Sequence, residues 1–407
     1  MRGKRIIVLM LAVFCFLLLP AHTPAQAPPR EQQSVTVPLF VEHNRPFIYL
    51  EFTRPDGKPR RALFWVDTGG GGFIMVEPLA RELGLRFGQE VAEGGERFAA
   101  TDTPKAQVGG MPLNLEGARA SIALGQRMMT PGVPAEGLLP ARVLRNYHVI
   151  FDYPGHQFTL AKPGSVKQRG VRVASPIHPQ SGFPRLEVQV GGQPYGFLLD
   201  TGASFTMISQ EVLNQWGALH ADWPQATGAV GAANMGLGPM EVNALMMRIP
   251  ELTLGTFQLK SVAAVSRPKG TFERWMSGMM TSPIIGAIGG NVWKTFRVEI
   301  DYASGETFLE QKAASDPHDL DIVGVTLRAH ADGSYTILGA SKLNGKDALD
   351  GPRPGDKLIR IDRLDVTGAP LFKVVDTLRG KPHQKRTLVI ERGGKQIKMK
   401  VPVSRVL

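Results

Sequence analysis

The sequence predicts a mostly β protein made of two copies of one unit followed by a smaller third unit, and three observations carry that prediction. Residues 63–76, "LFWVDTGGGGFIMV", are restated at residues 196–209 as "GFLLDTGASFTMIS". The segments on either side of both copies match in the same order. After residue 312 the composition changes to a strongly basic stretch of short apolar runs.

Each copy begins with a hairpin. "PFIYLEFTRPDGKPRRALFWVDTG" and "FPRLEVQVGGQPYGFLLDTG" are pairs of alternating runs joined by a tight turn, at Asp56-Gly57 in one and at Gly191-Gly192 in the other, residue types that accept the positive φ of a two-residue turn. Behind each Asp-Thr-Gly comes a short amphipathic segment of helical period, "EPLARELGL" and then "QEVLNQWGAL". Both copies close alike, with residues 138–163 aligning on 287–312 and Asp152-Tyr153 standing opposite Asp301-Tyr302. A single Asp-Thr-Gly suits any turn. Two of them, 133 residues apart at equivalent strand ends, demand more than turn chemistry.

Composition removes several kinds of chemistry. The only cysteine, Cys15, lies in the apolar run Ile6 to Leu19 near the N-terminus, so the remainder of the chain has neither thiol nor disulfide. The nine histidines show no paired metal-ligand spacing, and neither a Gly-x-Ser-x-Gly elbow nor a phosphate-binding glycine loop occurs. No metal and no organic cofactor is implied. Residues 1–27 have a basic start, that apolar run and a small-residue Ala25-Gln26-Ala27 end, the pattern of an export signal. Pro28 directly after the cut is a poor cleavage context, so an uncleaved anchor is the alternative. The net charge of +11 is uneven, since residues 322–407 hold 17 Lys and Arg against 8 Asp and Glu. In an exported protein such a tail meets an anionic membrane surface or an acidic partner, or serves as a solvated face, rather than nucleic acid.

Two carboxylates, one from each copy, can hydrolyse a peptide without metal or covalent intermediate. One takes a proton from water and the other protonates the carbonyl oxygen. Held about 3 Å apart they cannot both ionise, and one keeps its proton. Asp67 and Asp200 are the candidates. Gly69 and Gly202 let the loops approach closely, Thr68 and Thr201 can hydrogen-bond across the pair, and Ser204 can donate to Asp200. The counterpart of Ser204 is Gly71, so the pair is expected to be asymmetric, with the proton on Asp67. Asp152 and Asp301 read as turn residues, His148, His156 and the tryptophans as packing or surface residues, and the Met-rich run 274–280 as an adaptable core patch or loop.

These units resemble the halves of pepsin-like and retropepsin-like aspartic proteases, in which Asp-[Thr/Ser]-Gly follows a hairpin and a later apolar segment ending in glycine crosses beneath it. The resemblance covers about residues 36–312. It implies a catalytic pair Asp67 and Asp200, loop braces Thr68 and Thr201, a supporting donor Ser204, and crossing segments Leu138-Leu139-Pro140 and Ala287-Ile288-Gly289. Three departures stand out: Pro140 replaces the family's glycine, Gly70-Gly71 replace small and hydroxyl residues, and no tyrosine lies between Thr68 and Asn146 to serve as a flap tyrosine. The flap candidates, residues 93–110 and 226–242, are glycine-rich and mobile by composition.

Residues 322–404, with "GPRPGDKLIRIDRLDV" and "FKVVDTLRGKPHQKRTLVIERGGKQIKMKVPV", resemble the PDZ pattern of exported bacterial proteases. That resemblance implies a groove for a C-terminal peptide ligand, although the carboxylate-binding loop is indistinct. The expected organisation is a signal peptide over 1–27, protease-like lobes over 36–163 and 171–312, and a PDZ-like domain over 322–404. The expected function is an exported aspartic endopeptidase, periplasmic or secreted, that acts on peptide or protein substrates as a monomer. The rival is a non-catalytic envelope protein that keeps the protease fold as a peptide-binding scaffold.

Overall fold

In a computed structural model of the chain, the residues described are 32–93, 96–125, 132–235, 238–343 and 345–407. The segment read as an export signal lies outside them. From Gln33 onward the chain forms one unit, and its secondary structure is mostly β.

Both expected hairpins form. Arg45–Thr53 pairs antiparallel with Pro59–Asp67, and Arg185–Val190 pairs with Gln193–Leu199. Gly57 has φ 80°, and Gly191 and Gly192 have φ 58° and 78°. These left-handed values explain the glycines of both turns. Burial alternates along Arg185–Val190, which seats Leu186, Val188 and Val190 in the core.

The two halves repeat one strand order. In the first, Arg45–Thr53, Pro59–Asp67, Gly137–Pro140, Phe73–Val76, Ala120–Ala123, Glu96–Ala100 and Glu90–Glu93 lie side by side. In the second, the sequence is Arg185–Val190, Gln193–Leu199, Gly286–Ile288, Thr206–Ser209, Phe257–Arg267, Leu245–Leu254 and Gln225–Thr227. In each half the short crossing strand runs parallel to the strand that ends in the Asp-Thr-Gly, with Pro140 beside Asp67 and Ile288 beside Leu199.

A shared sheet lies between the halves, ordered Ser34–Pro38, Gln157–Ala161, His148–Asp152, Phe296–Asp301, Glu306–Gln311, Val171–Ala174. At its centre His148 pairs with Asp301, Ile150 with Glu299 and Asp152 with Arg297. That register maps onto itself when the halves are exchanged, so a pseudo-twofold axis passes between Ile150 and Glu299. His148 is buried there on the Glu299 carboxylate at 2.9 Å. Asp152 and Asp301 accept turn N–H groups from Gly155 and Ala303, and Met276 and Met280 of the Met-rich run are buried against Phe183 and Phe272.

The last part of the chain makes a sheet of Val325–Ala329, Tyr335–Ala340, Lys357–Ile361, Lys385–Arg392 and Lys395–Pro402, together with a helix at Leu371–Leu378. It does not stand apart from the rest. Lys342–Leu343 pairs with Gln225–Thr227 and so extends the second-half sheet. Among the described residues no helix is long and apolar enough to cross a membrane.

Candidate active site

The strands ending at Asp67 and Asp200 deliver the two Asp-Thr-Gly loops to one point between the halves. The backbone N–H of Thr68 donates to the Thr201 hydroxyl at 3.1 Å, and that of Thr201 to the Thr68 hydroxyl at 2.9 Å. Each hydroxyl then donates across the axis, Thr68 to the Leu199 carbonyl at 2.7 Å and Thr201 to the Val66 carbonyl at 2.9 Å. All four groups are buried, so every bond in the set replaces one that water would otherwise supply.

The glycines are explained by the carboxylates opposite. A Cβ on Gly69 would stand 2.8 Å from Cγ of Asp200, and one on Gly202 would overlap the Asp67 carboxylate. Any side chain at either position would push the loops apart. Gly70 is similarly confined, since a Cβ there would meet Asp67 Oδ2 at 2.8 Å and Leu138 at 3.0 Å, whereas a Cβ on Gly71 would meet nothing.

The pair is asymmetric, for a different reason than the sequence suggested. Asp200 Oδ1 accepts the backbone N–H groups of Gly202 at 2.8 Å and Ala203 at 2.9 Å. Among the described residues Asp67 Oδ1 accepts one backbone N–H, that of Gly69 at 2.8 Å, while Gly70 N–H turns to the Asp67 carbonyl. Ser204 does not donate to Asp200; its hydroxyl is buried without a hydrogen-bond partner among the described residues, while its carbonyl receives Asn44 and Asn291. Burial pushes both carboxyls up. For Asp67 the neighbouring Asp200 charge adds to burial and carries it well above the carboxylate range, whereas for Asp200 the two backbone donors oppose the rise. The second backbone donor on Asp200 thus favours the charge on Asp200 and the shared proton on Asp67.

The Pro140 departure has a local answer. Pro140 has φ −90° and Gly289, its counterpart, φ −100°, an extended backbone open to any residue. Glycine is needed in the second half because a Cβ at 289 would overlap the Phe205 backbone, and its N–H reaches the Thr206 hydroxyl at 3.3 Å. The first half has Gly72 and Phe73 at those two positions, so proline leaves no hydroxyl unpaired.

Arg45 was missed by sequence reading. It is buried, donates from Nε to the Gly202 carbonyl at 2.9 Å, and lies 5.2 Å from the centre of the Trp65 ring. Burial lowers its guanidinium to about 10, while the charges of Asp67 and Asp200 favour the cation. The hairpin register offered a signal: with Phe47 opposite Trp65, two further residues place Arg45 across from Asp67. Next to it, His43 and Asn44 form the turn of the preceding hairpin, with φ 52° and 63°. Burial, followed by the Arg45 charge, lowers His43 to about 3, which keeps it neutral.

Among the described residues no group of three or more His, Cys, Asp or Glu side chains could hold a metal ion. No curated protein matches the sequence. A solved aspartic proteinase from Irpex lacteus is similar over 70% of this chain and 100% of that one, at 13% identity and a TM-score of 0.42. The model of the aspartyl protease family matches residues 186–292, from the second hairpin through the Asp200 loop to the crossing segment and the helix after it.

Proposed function

We propose that the chain is an exported aspartic endopeptidase in which Asp67 and Asp200 activate one water molecule. The observation that carries this reading is the reciprocal threonine bonding, which joins the two loops that carry the buried Asp67 and Asp200. A fold kept only to bind peptides has no need to pair two like charges.

In the proposed reaction Asp200, ionised, accepts a proton from the water as its oxygen attacks the scissile carbonyl carbon. Asp67 gives its proton to the carbonyl oxygen, which leaves a neutral gem-diol. Asp200 then protonates the amide nitrogen while the C–N bond breaks, and Asp67 recovers a proton from a diol hydroxyl. Both acids lie in one chain, so a monomer suffices. The sequence of residues 1–27 supports export, and the pattern of residues 322–404 supports a PDZ-like reading, with its basic charge turned to an anionic membrane surface or an acidic partner.

Hydrolysis of a mixed peptide library by the full chain, with and without a statine-type transition-state mimic, tests the proposal. Cleavage that the mimic abolishes is expected. A folded protein that binds the mimic but cuts nothing between pH 3 and 7 would instead favour the scaffold reading.

A further inference from the structure

The second-half loop, expected to be a mobile flap, is seated in the C-terminal unit. Ala226 and Thr227 pair with Leu343 and Lys342. Beyond them Ala229, Val230 and Ala233 are fully buried in one apolar cluster with Ile322, Leu327, Val374, Val375 and Leu378. Gly231, at φ 57°, sits where a Cβ would be 3.5 Å from both Leu320 and Ile322. The Asn234 side-chain amide donates to the Leu327 carbonyl at 2.5 Å. Leu327 belongs to Val325–Ala329, a strand at the end of its sheet, with Tyr335–Ala340 on one side only. The loop thus lies between an edge strand and the buried face of the helix Leu371–Leu378.

An edge strand beside an apolar helix face is a template onto which an extended peptide can add as a further strand. Here the chain fills that trough itself with small side chains, and an asparagine amide substitutes for a strand N–H. We propose that residues 229–234 are an internal plug, and that an extended peptide of small apolar residues binding along Val325–Ala329 must expel them. Peptide binding and the seated loop then exclude each other.

The plug is also connected to the candidate active site. The Asn234 backbone hydrogen-bonds His43. The two residues after His43 grip the Asp200 loop, Asn44 at the Ser204 carbonyl and Arg45 at the Gly202 carbonyl. Expelling the plug removes one support of that grip. This consequence for peptidase activity rests on the function proposed above; the plug itself does not.

The test uses the full chain, its Val230→Asp variant, and a labelled synthetic peptide of residues 226–235, ATGAVGAANM. A carboxylate at position 230 is costly to bury and should drive the loop out. Removing a tethered competitor is expected to tighten peptide binding about tenfold or more, with faster amide exchange over 228–235. Asn234→Ala, which keeps the apolar contacts, should tighten it by about fivefold, the worth of one hydrogen bond. Equal peptide affinity in the wild type and both folded variants, including no binding by any of them, overturns the plug. If affinity shifts as expected while none of the three proteins cleaves peptides, the proposed function fails and the plug stands.

Discussion

Thr68 and Thr201 hold each other across the pseudo-twofold axis, each offering its backbone N–H to the other's hydroxyl, at 3.1 Å and 2.9 Å. Neither loop can complete its hydrogen bonds alone. Thr68→Val should therefore leave the Thr201 N–H without an acceptor and the Leu199 carbonyl without a donor. The expected loss is about 1–3 kcal/mol in unfolding free energy, together with most of the activity. Thr68→Ser keeps the hydroxyl and should recover both in denaturant melts and rate assays. A valine variant as stable and active as wild type would mean that the cross-bonds contribute nothing.

Ionisation of the pair fixes the sign of a pH effect on stability. Burial raises both carboxyls in the folded state, Asp67 further than Asp200. The folded protein thus keeps a proton that the unfolded chain releases near pH ~3.9. That contribution is complete below the unfolded value and is lost as pH rises through the raised folded one. Asp67→Asn removes the more strongly raised of the two titrations. The variant's Tm minus the wild type's should accordingly grow from pH 4 to pH 8, and a flat difference would contradict the raised pKa.

Arg45 supplies a positive charge next to both carboxylates. Replacing it by methionine, similar in length and uncharged, should raise both apparent pKa values of the pair and move both limbs of the pH–rate profile toward higher pH. These values belong to the pair rather than to either residue. Limbs that stay in place in a folded Arg45→Met protein would leave the arginine only its structural contacts, the Trp65 ring and the Gly202 carbonyl.

The glycines after the first Asp-Thr should differ in tolerance. Gly71→Ser enters open space, and its counterpart Ser204 makes no bond to Asp200, so kcat/KM should remain within about twofold. Gly70→Ala forces a methyl against Asp67 Oδ2 and Leu138 and should lower kcat/KM by about a hundredfold, as misplacement near the reacting atoms does. Equal effects of the two substitutions would show that the first loop is loose.

The repeat made much of this legible in the sequence. Hairpins, helices, crossing strands and paired acids recur in fixed order, and each is a local pattern of alternation, turn residue or helical period. What sequence reading missed depends on contacts between distant segments. Nothing near Arg45 announces that it reaches Gly202, and nothing in "TGAVGAAN" announces a seat beside Leu327; the glycines that suggested mobility, Gly228 and Gly231, take positive φ in an ordered loop, and Ala229 and Ala233 are buried. Ser204 is close to Asp200 in the chain, but the backbone N–H groups of Gly202 and Ala203 already occupy the Asp200 Oδ1 oxygen. The first flap candidate contains the strands Glu96–Ala100 and Ala106–Val108; its Gly94 and Gly95 lie outside the described residues.

Whether Asp67 and Asp200 work as one catalytic unit is measured most directly by the peptide-cleavage rates of Asp67→Asn, Asp200→Asn and the double variant under identical conditions. A shared pair predicts that each single substitution lowers kcat by about 10⁴-fold or more and that the double variant is scarcely worse, because residues acting as a unit are not additive. A single variant that turns over well above the double one would contradict it.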